Sequence, residues 1–429
     1  MTRGDARRAP LLTAVLPATS FRALRHPAYR RWAAADTASQ LGTWAQALAL
    51  SWVVLQLTGS TAALGGTVAL QALPILLLGP WGGAAADRLP LRRLLLGTQI
   101  AQGVLAVALA LLVGLGMASI GSLLAIALMQ GLVQVLDAPA HALFTQQLVP
   151  DEDLPNAAAL GSVTSSTGRV VGMALAGVGL GTLGAPGLFA LNAVSFAAVA
   201  LVVFRVRRQD IRPLPRAAGQ DATVRAGLRY VLSRRELTVL LALVLVTSSL
   251  GRNFSVMTAA LVNGPLHGGS REYAITSTAF ALGALGGALV ATRLRTLSLR
   301  VVLAAAGLAA LGQVVAAASA GLSELSAVLV LVAAACVVLD TAIGSHLVLS
   351  TPMSLRGRVL ALRSLVAAAA AAGGAPLLGW LADTSGARVT MGGAGAVVLV
   401  CVVWAAWRLR LHAVRASSWT GWRRQLVPA

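Results

Sequence analysis

Twelve long hydrophobic stretches, a one-sided distribution of arginine and an echo between the two halves predict an all-α membrane protein: twelve transmembrane helices in two pseudo-symmetric six-helix bundles. The stretches fall at 32–57, 62–86, 94–115, 121–146, 156–182, 188–206, 237–262, 273–292, 300–320, 325–350, 359–381 and 389–407. A hydrocarbon core of about 30 Å takes roughly 20 apolar residues as a helix, and most of these stretches leave room for tilt. The chain has 429 residues, 57% hydrophobic and 11% charged, with a mean hydropathy of +0.79, which is too much apolar surface for a soluble protein to bury. Backbone groups in lipid must be satisfied inside the segment, and apolar runs this long do not read as the alternating strands of a barrel. The spans are therefore helices.

The segment before span one and those after spans two, six, eight, ten and twelve, counted with Arg205 and Arg300 at the adjoining span ends, carry 29 of the 34 basic residues, whereas the loops on the other side carry only Arg271 and Arg388. That asymmetry puts both termini in the cytoplasm. All the basic residues are arginine, and with so many alanines and glycines the composition suggests a GC-rich bacterial genome, hence a multi-pass protein of the bacterial cytoplasmic (inner) membrane. The net charge of +20 and pI of 11.8 are thus a topology signal, and scattered loop arginines do not make a nucleic-acid site. The stretch 11–16 is too short for the apolar region of a secretory signal.

The longest polar segment, 205–236, divides the spans six and six. This implies an N-terminal tail (1–31), a first bundle (32–206), a linker (207–236), a second bundle (237–407) and a C-terminal tail (408–429), in a chain expected to be monomeric in the bilayer. Within the linker, Val224, Leu228, Val231 and Leu232 recur at helical spacing opposite Arg225, Arg229 and Arg234. That pattern fits an amphipathic helix at the inner interface and equally a solvated connector. The echo is an acid ahead of a loop proline: Asp137 stands 13 residues before Pro150 in one half, and Asp340 stands 12 before Pro352 in the other.

Span four sets Gln130, Gln134, Asp137 and His141 at steps of four, three and four residues, which is one stripe along a helix. An ionisable side chain costs at least about 2.5 kcal/mol near the bilayer centre, so the stripe should face protein or water. Asp36, Gln40 and Thr43 make a shorter stripe on span one, near Trp44 and Gln46. Span seven contributes Thr247, Arg252 and Asn253, and span ten Asp340, Thr341, Ser345 and His346. Gln46, Thr43 and the serines fit hydrogen bonding between helices as well as a cavity.

Nothing in the chain reads as an enzyme, a cofactor site or a metal site. His141 and His346 have no serine or cysteine at useful depth, no His/Cys cluster has metal spacing, and a phosphate-binding loop lacks its lysine because the chain has none. Cys336 and Cys401 fall inside spans and read as small buried apolar residues.

Four stretches carry a family resemblance: SQLGTWAQALALSWVVLQLTGS from Ser39, LLLGPWGGAAADRLPLRRLLL from Leu76, DAPAHALFTQQLVPDEDLPNAAAL from Asp137, and LRGRVLAL from Leu355 followed by GGAPLLGWLAD. The chain resembles a major facilitator superfamily transporter, within the branch of enterobactin (siderophore) exporters and related drug-efflux proteins. The resemblance implies the major facilitator fold, with spans one, four, seven and ten lining the pathway. It implies a conformational latch after span two, where Gly83, Asp87, Arg88 and Arg92 match the signature and Arg356 and Arg358 stand at the start of span eleven, at the positive end of its dipole. Pro90-Leu91, Ala127, Gly172-Met173 and His141 depart from the branch's pattern, the last replacing a usual arginine.

The function implied is secondary active export of a hydrophobic or amphipathic small molecule, such as an antibiotic, siderophore or other secondary metabolite, by proton antiport with alternating access. A lipid or lysolipid flippase is the alternative in transport, and a non-transporting receptor or scaffold is the alternative of another class. Two expectations concern charge. Asp137 and Arg169, at equal depth on consecutive helices, should pair across spans four and five, directly or through water. Asp340 faces only the alanine run 367–372 on the adjoining helix, which makes it the first choice for proton coupling, ahead of Asp137 and Asp36.

Overall fold

The ends of the helices follow from local chemistry. Pro27 opens the first helix, whose C-cap Gly59 adopts φ +63° and donates its N–H to the Leu55 carbonyl. Ser60 then caps the second helix by accepting from the Ala63 N–H, Pro90 precedes the third, and Ser119 and Ser122 cap the fourth reciprocally. The computed structural model describes residues 18–212, 224–251, 253–294 and 298–425.

The first half comprises α1 (Pro27–Thr58), α2 (Thr61–Arg88), α3 (Leu91–Gly114), α4 (Ile120–Gln147), α5 (Leu154–Thr182) and α6 (Gly184–Arg205). The linker contributes α7 (Val224–Ser233), so the amphipathic pattern there is helical. The second half comprises α8 (Arg235–Leu250), α9 (Phe254–Asn263), α10 (Ser270–Arg293), α11 (Leu299–Ala318), α12 (Leu322–Leu349), α13 (Met353–Ser385) and α14 (Ala387–Gln425). Among the described residues ten segments are long and apolar enough to cross a membrane by length and composition, α8 and α9 counting as one. α1, which carries Asp36, Gln40 and Gln46, and α5 complete the twelve.

Span seven differs from expectation: among the described residues it is two helices, α8 ending at Leu250 and α9 beginning at Phe254. The carbonyls released there are taken up by side chains, Asn253 Nδ2 donating to Ser249 O (2.8 Å) and Gln313 Nε2 to Leu250 O (3.2 Å). Irregular backbone at membrane depth survives where protein groups satisfy it in this way.

Packing repeats between the halves. α1 lies on α5 and α6 as α8 lies on α13 and α14; α2 lies on α4 as α10 lies on α12; and α3 contacts α4 and α6 as α11 contacts α12 and α14. The halves meet chiefly through one reciprocal set of contacts, α2 with α13 and α5 with α10, with smaller ones from α1 and α2 to α9. There the backbones approach closely: a Cβ on Gly65 would stand 2.3 Å from the Ala375 carbonyl oxygen. Trp52 stacks on Tyr273 at 5.2 Å, and Gln56 Nε2 donates to Asn263 Oδ1 at 3.2 Å. All these contacts lie at the end away from the linker, called the far end below. The apolar core divides accordingly. At the far end one cluster includes Leu48, Trp52, Tyr273 and Leu378 from both halves, whereas towards the linker it splits into one cluster around Trp32 and Phe144 and another around Leu240 and Leu362. The molecule is closed at the far end and parted at the linker end.

Candidate functional site

Two cavities lie inside the first bundle. One of about 440 Å³ is lined by Asp36, Gln40 and Trp44 of α1, Gln71 of α2, Gln99 and Gln102 of α3, and Gln130, Gln134, Asp137 and His141 of α4. The other, about 840 Å³, lies among α1, α4 and α5 and shares Asp36, Gln40 and His141 with the first. The stripes read from spans one and four therefore form a wall common to both.

His141 occupies that wall. Its Nε2 is 2.8 Å from Asp36 Oδ1, and its ring lies 4.8 Å from that of Trp32. Trp32 Nε1 donates to Thr145 Oγ1 (3.1 Å), which in turn donates to the His141 carbonyl (2.8 Å), so α1 and α4 are tied by two side-chain bonds a turn apart. Deeper in, Asp137 is 8% exposed and accepts from Thr98 Oγ1 (2.5 Å) and Gln99 Nε2 (2.9 Å) of α3. Gln71 Nε2 donates to Gln130 Oε1 (3.2 Å), and Gln102 Nε2 to the Gln130 carbonyl (3.3 Å). Gln46 is structural, accepting from Asn192 of α6 at 3.0 Å.

Asp137 and Arg169 make no direct pair: among the described residues no ion pair joins them, and Arg169 lies over the Trp44 ring at 6.0 Å. Equal depth was not enough, because α5 packs on α1, with Gly168 and Gly172 against Gln40 and Trp44, and α4 turns Asp137 towards α3. Asp340 likewise has the basic neighbour it was expected to lack. Arg363 of α13 places Nη2 3.3 Å from Asp340 Oδ1, from about one turn before the alanine run. The reason for ranking Asp340 first for coupling is gone.

The second bundle's polar groups enclose little space. Thr247, Gln313 and Asp340 line a pocket of about 10 Å³, room for about one water. Asn253 caps the helix break, and Arg252 lies outside the described residues. His346 meets Glu236 at 2.5 Å near the linker end, away from the cavities. Each half thus carries an acid–histidine pair between its first and fourth spans, Asp36–His141 and Glu236–His346. Cys336 and Cys401 are half-buried, and no disulfide joins them.

The latch expected at the linker end turns on Asp87 and Arg358, whose side chains lie outside the description. Gly83 has open space around it, and Arg88 is exposed. Arg92 donates to the Val203 and Phe204 carbonyls, completing the C-terminus of α6, where the helix dipole favours a cation. Arg356 donates to the Thr351 carbonyl at 3.0 Å. A clamp between bundles lies at the far end, where Asp383 of α13 accepts from Ser60 Oγ (2.7 Å) and from the Thr61 (2.8 Å) and Ala62 (3.0 Å) backbone N–H groups. Sequence reasoning missed it, although a serine cap and an acid at the opposite ends of α2 and α13 were its signal. It also missed Gln99 and Gln102 of α3, whose spacing of three is the same stripe logic applied to a span not expected to line a cavity.

Two repeated six-helix bundles, joined at one end and enclosing polar cavities, define an integral membrane transporter of the major facilitator fold. The chain belongs to the transmembrane secretion effector family of that superfamily, whose model matches residues 18–428. Among curated proteins it is similar to the staphyloferrin A transporter of Staphylococcus aureus (24% identity over 252 residues, 58% of this chain and 63% of that one). It is also similar to the uncharacterised MFS-type transporter YfiS of Bacillus subtilis (26% over 176 residues, 41% of each chain). The match therefore spans less than two thirds of either relative. Solved structures of like fold include a bacterial homologue of the human lysosomal transporter Spinster, inward-facing and occupied (TM-score 0.70, 15% identity, 91% of this chain and 97% of that one). A bacterial homologue of the iron transporter ferroportin, inward-facing, is another (TM-score 0.67, 15% identity, 88% and 98%).

Proposed function

We propose that the chain is a secondary active exporter of a hydrophobic or amphipathic small molecule, a siderophore, antibiotic or other secondary metabolite, exchanged for protons by alternating access. In this reading it works as a monomer in the bacterial inner membrane, with residues 32–206 and 237–407 as the two moving bodies. Both termini are cytoplasmic, so the parted linker end opens inwards and the Asp383 clamp closes the outside. The observation that carries the coupling is the Asp36–His141 pair in the wall between two cavities. Histidine is the side chain whose ordinary titration lies between pH 5 and 8, whereas an arginine beside Asp340 stays charged throughout. A proton on His141 strengthens its bond to Asp36; a substrate competing for either partner favours release of that proton to the cytoplasm. The ring of glutamines supplies neutral donors and acceptors without fixing a charge requirement on the cargo. The similarity to the staphyloferrin A transporter supports the siderophore class.

The test is flux in proteoliposomes under an imposed pH gradient, with staphyloferrin A and the lipophilic cation ethidium as probes. Accumulation that a protonophore collapses supports the proposal. Movement of neither probe, with phospholipid scrambling instead, would favour the flippase.

A further inference from the structure

A third cavity, about 420 Å³, lies at the linker end of the first bundle and takes no part in the site above. His26, Pro27, Ala28 and Arg31 line it from the start of α1, Leu148 from the end of α4, and Arg207, Gln209, Asp210 and Arg212 from the segment after α6. That segment is held in place. Val206 is buried, Ile211 packs beside it in the core around Trp32, and the Arg212 backbone N–H donates to the Gln147 carbonyl at 2.9 Å. The arginines between and beyond these anchors are therefore presented on a fixed scaffold.

The charge balance points to an anion. Three guanidiniums face the cavity against one carboxylate, Asp210, while His26 is engaged by Asp153 at 2.9 Å. Among the described residues none of Arg31, Arg207 and Arg212 makes a side-chain hydrogen bond or ion pair. Converging cations repel unless something shares them, and guanidinium forks match phosphate oxygens in pairs.

We propose that this pocket binds the phosphate of an anionic phospholipid headgroup. Depth favours lipid as the source. The lining comes from the points where α1 starts and where α4 and α6 end, and α6 exposes Leu201 and Phe204 within two turns of Arg207 as apolar surface for an acyl chain.

Thermal unfolding of the purified full-length protein tests this with three probes: phosphatidylglycerol, phosphatidylcholine and inorganic phosphate. Phosphatidylglycerol should raise Tm and phosphatidylcholine should not. In R207Q/R212Q the phosphatidylglycerol concentration needed should rise at least about tenfold, the scale of losing charge-assisted hydrogen bonds. Its Tm in phosphatidylcholine should match wild type, which separates lost binding from lost folding, and R31Q should show a smaller shift of the same sign. R293Q/R300Q, with the same loss of charge in the second bundle, should respond like wild type. Equal loss in that control, or undiminished binding in R207Q/R212Q, would overturn the site. Arginine-dependent stabilisation by inorganic phosphate, with displacement of the lipid, would assign the pocket to a soluble anion and overturn the lipid.

Discussion

Replacing Asp383 by asparagine should open the far end. The carboxylate accepts three hydrogen bonds from the first turn of α2, two of them from backbone N–H groups at a helix N-terminus. Asparagine keeps the shape but removes the charge and turns an NH2 group towards donors. An anion at a helix N-terminus contributes about 0.3–1 kcal/mol, and hydrogen bonds to a charged group about 1.5–3 kcal/mol when shielded. Asp383 is exposed, so the lower end applies and the total is about 1.5 kcal/mol. That is roughly a tenfold shift in the balance between far-end-closed and far-end-open states. The assay is double electron–electron resonance between spin labels at Met117 and Ala320, in the far-end loops of the two halves, after replacing Cys336 and Cys401. D383N should gain a long-distance population that wild type lacks. An unchanged distance distribution in a folded D383N would refute the reasoning.

Two further substitutions probe the packing around the site. Asp137→Ala leaves the Thr98 and Gln99 donors facing a cavity without their acceptor, and should cost about 1–3 kcal/mol, read as a lowered Tm in detergent; an unshifted Tm would deny Asp137 that role. Gly374→Val would drive a Cβ to 2.1 Å from the Ser249 carbonyl beside the break in span seven, whereas Gly373→Val meets open space. The first should lose monodisperse protein in size-exclusion chromatography and the second should not; equal behaviour would contradict the close approach of α8 and α13.

Much of this was legible because hydrophobicity reports depth directly. Eleven of the spans appear within about six residues of their expected ends, while α14 runs on to Gln425 through the segment read as a tail. The stripes of α1 and α4 meet at a cavity, but one inside the first bundle, not one shared with spans seven and ten. Rotation about each helix axis was less legible. Asp137 and Arg169 share a depth, yet their helices pack on different neighbours, so the charges face apart. Side-chain reach was the second gap, since Arg363 meets Asp340 from a position that residue counting had passed over. The break in span seven was hidden for a related reason. Its backbone is satisfied by Gln313, 63 residues beyond Leu250, and the apolar run continues on either side.

The central claim is that Asp36 and His141 couple transport to protons. It is tested most directly by substrate flux driven by a pH gradient in proteoliposomes containing wild type, Asp36→Asn or Asp340→Asn. The account predicts that Asp36→Asn abolishes gradient-driven accumulation while substrate binding and downhill exchange survive, and that Asp340→Asn keeps coupled flux. Full proton-coupled accumulation by Asp36→Asn would contradict it.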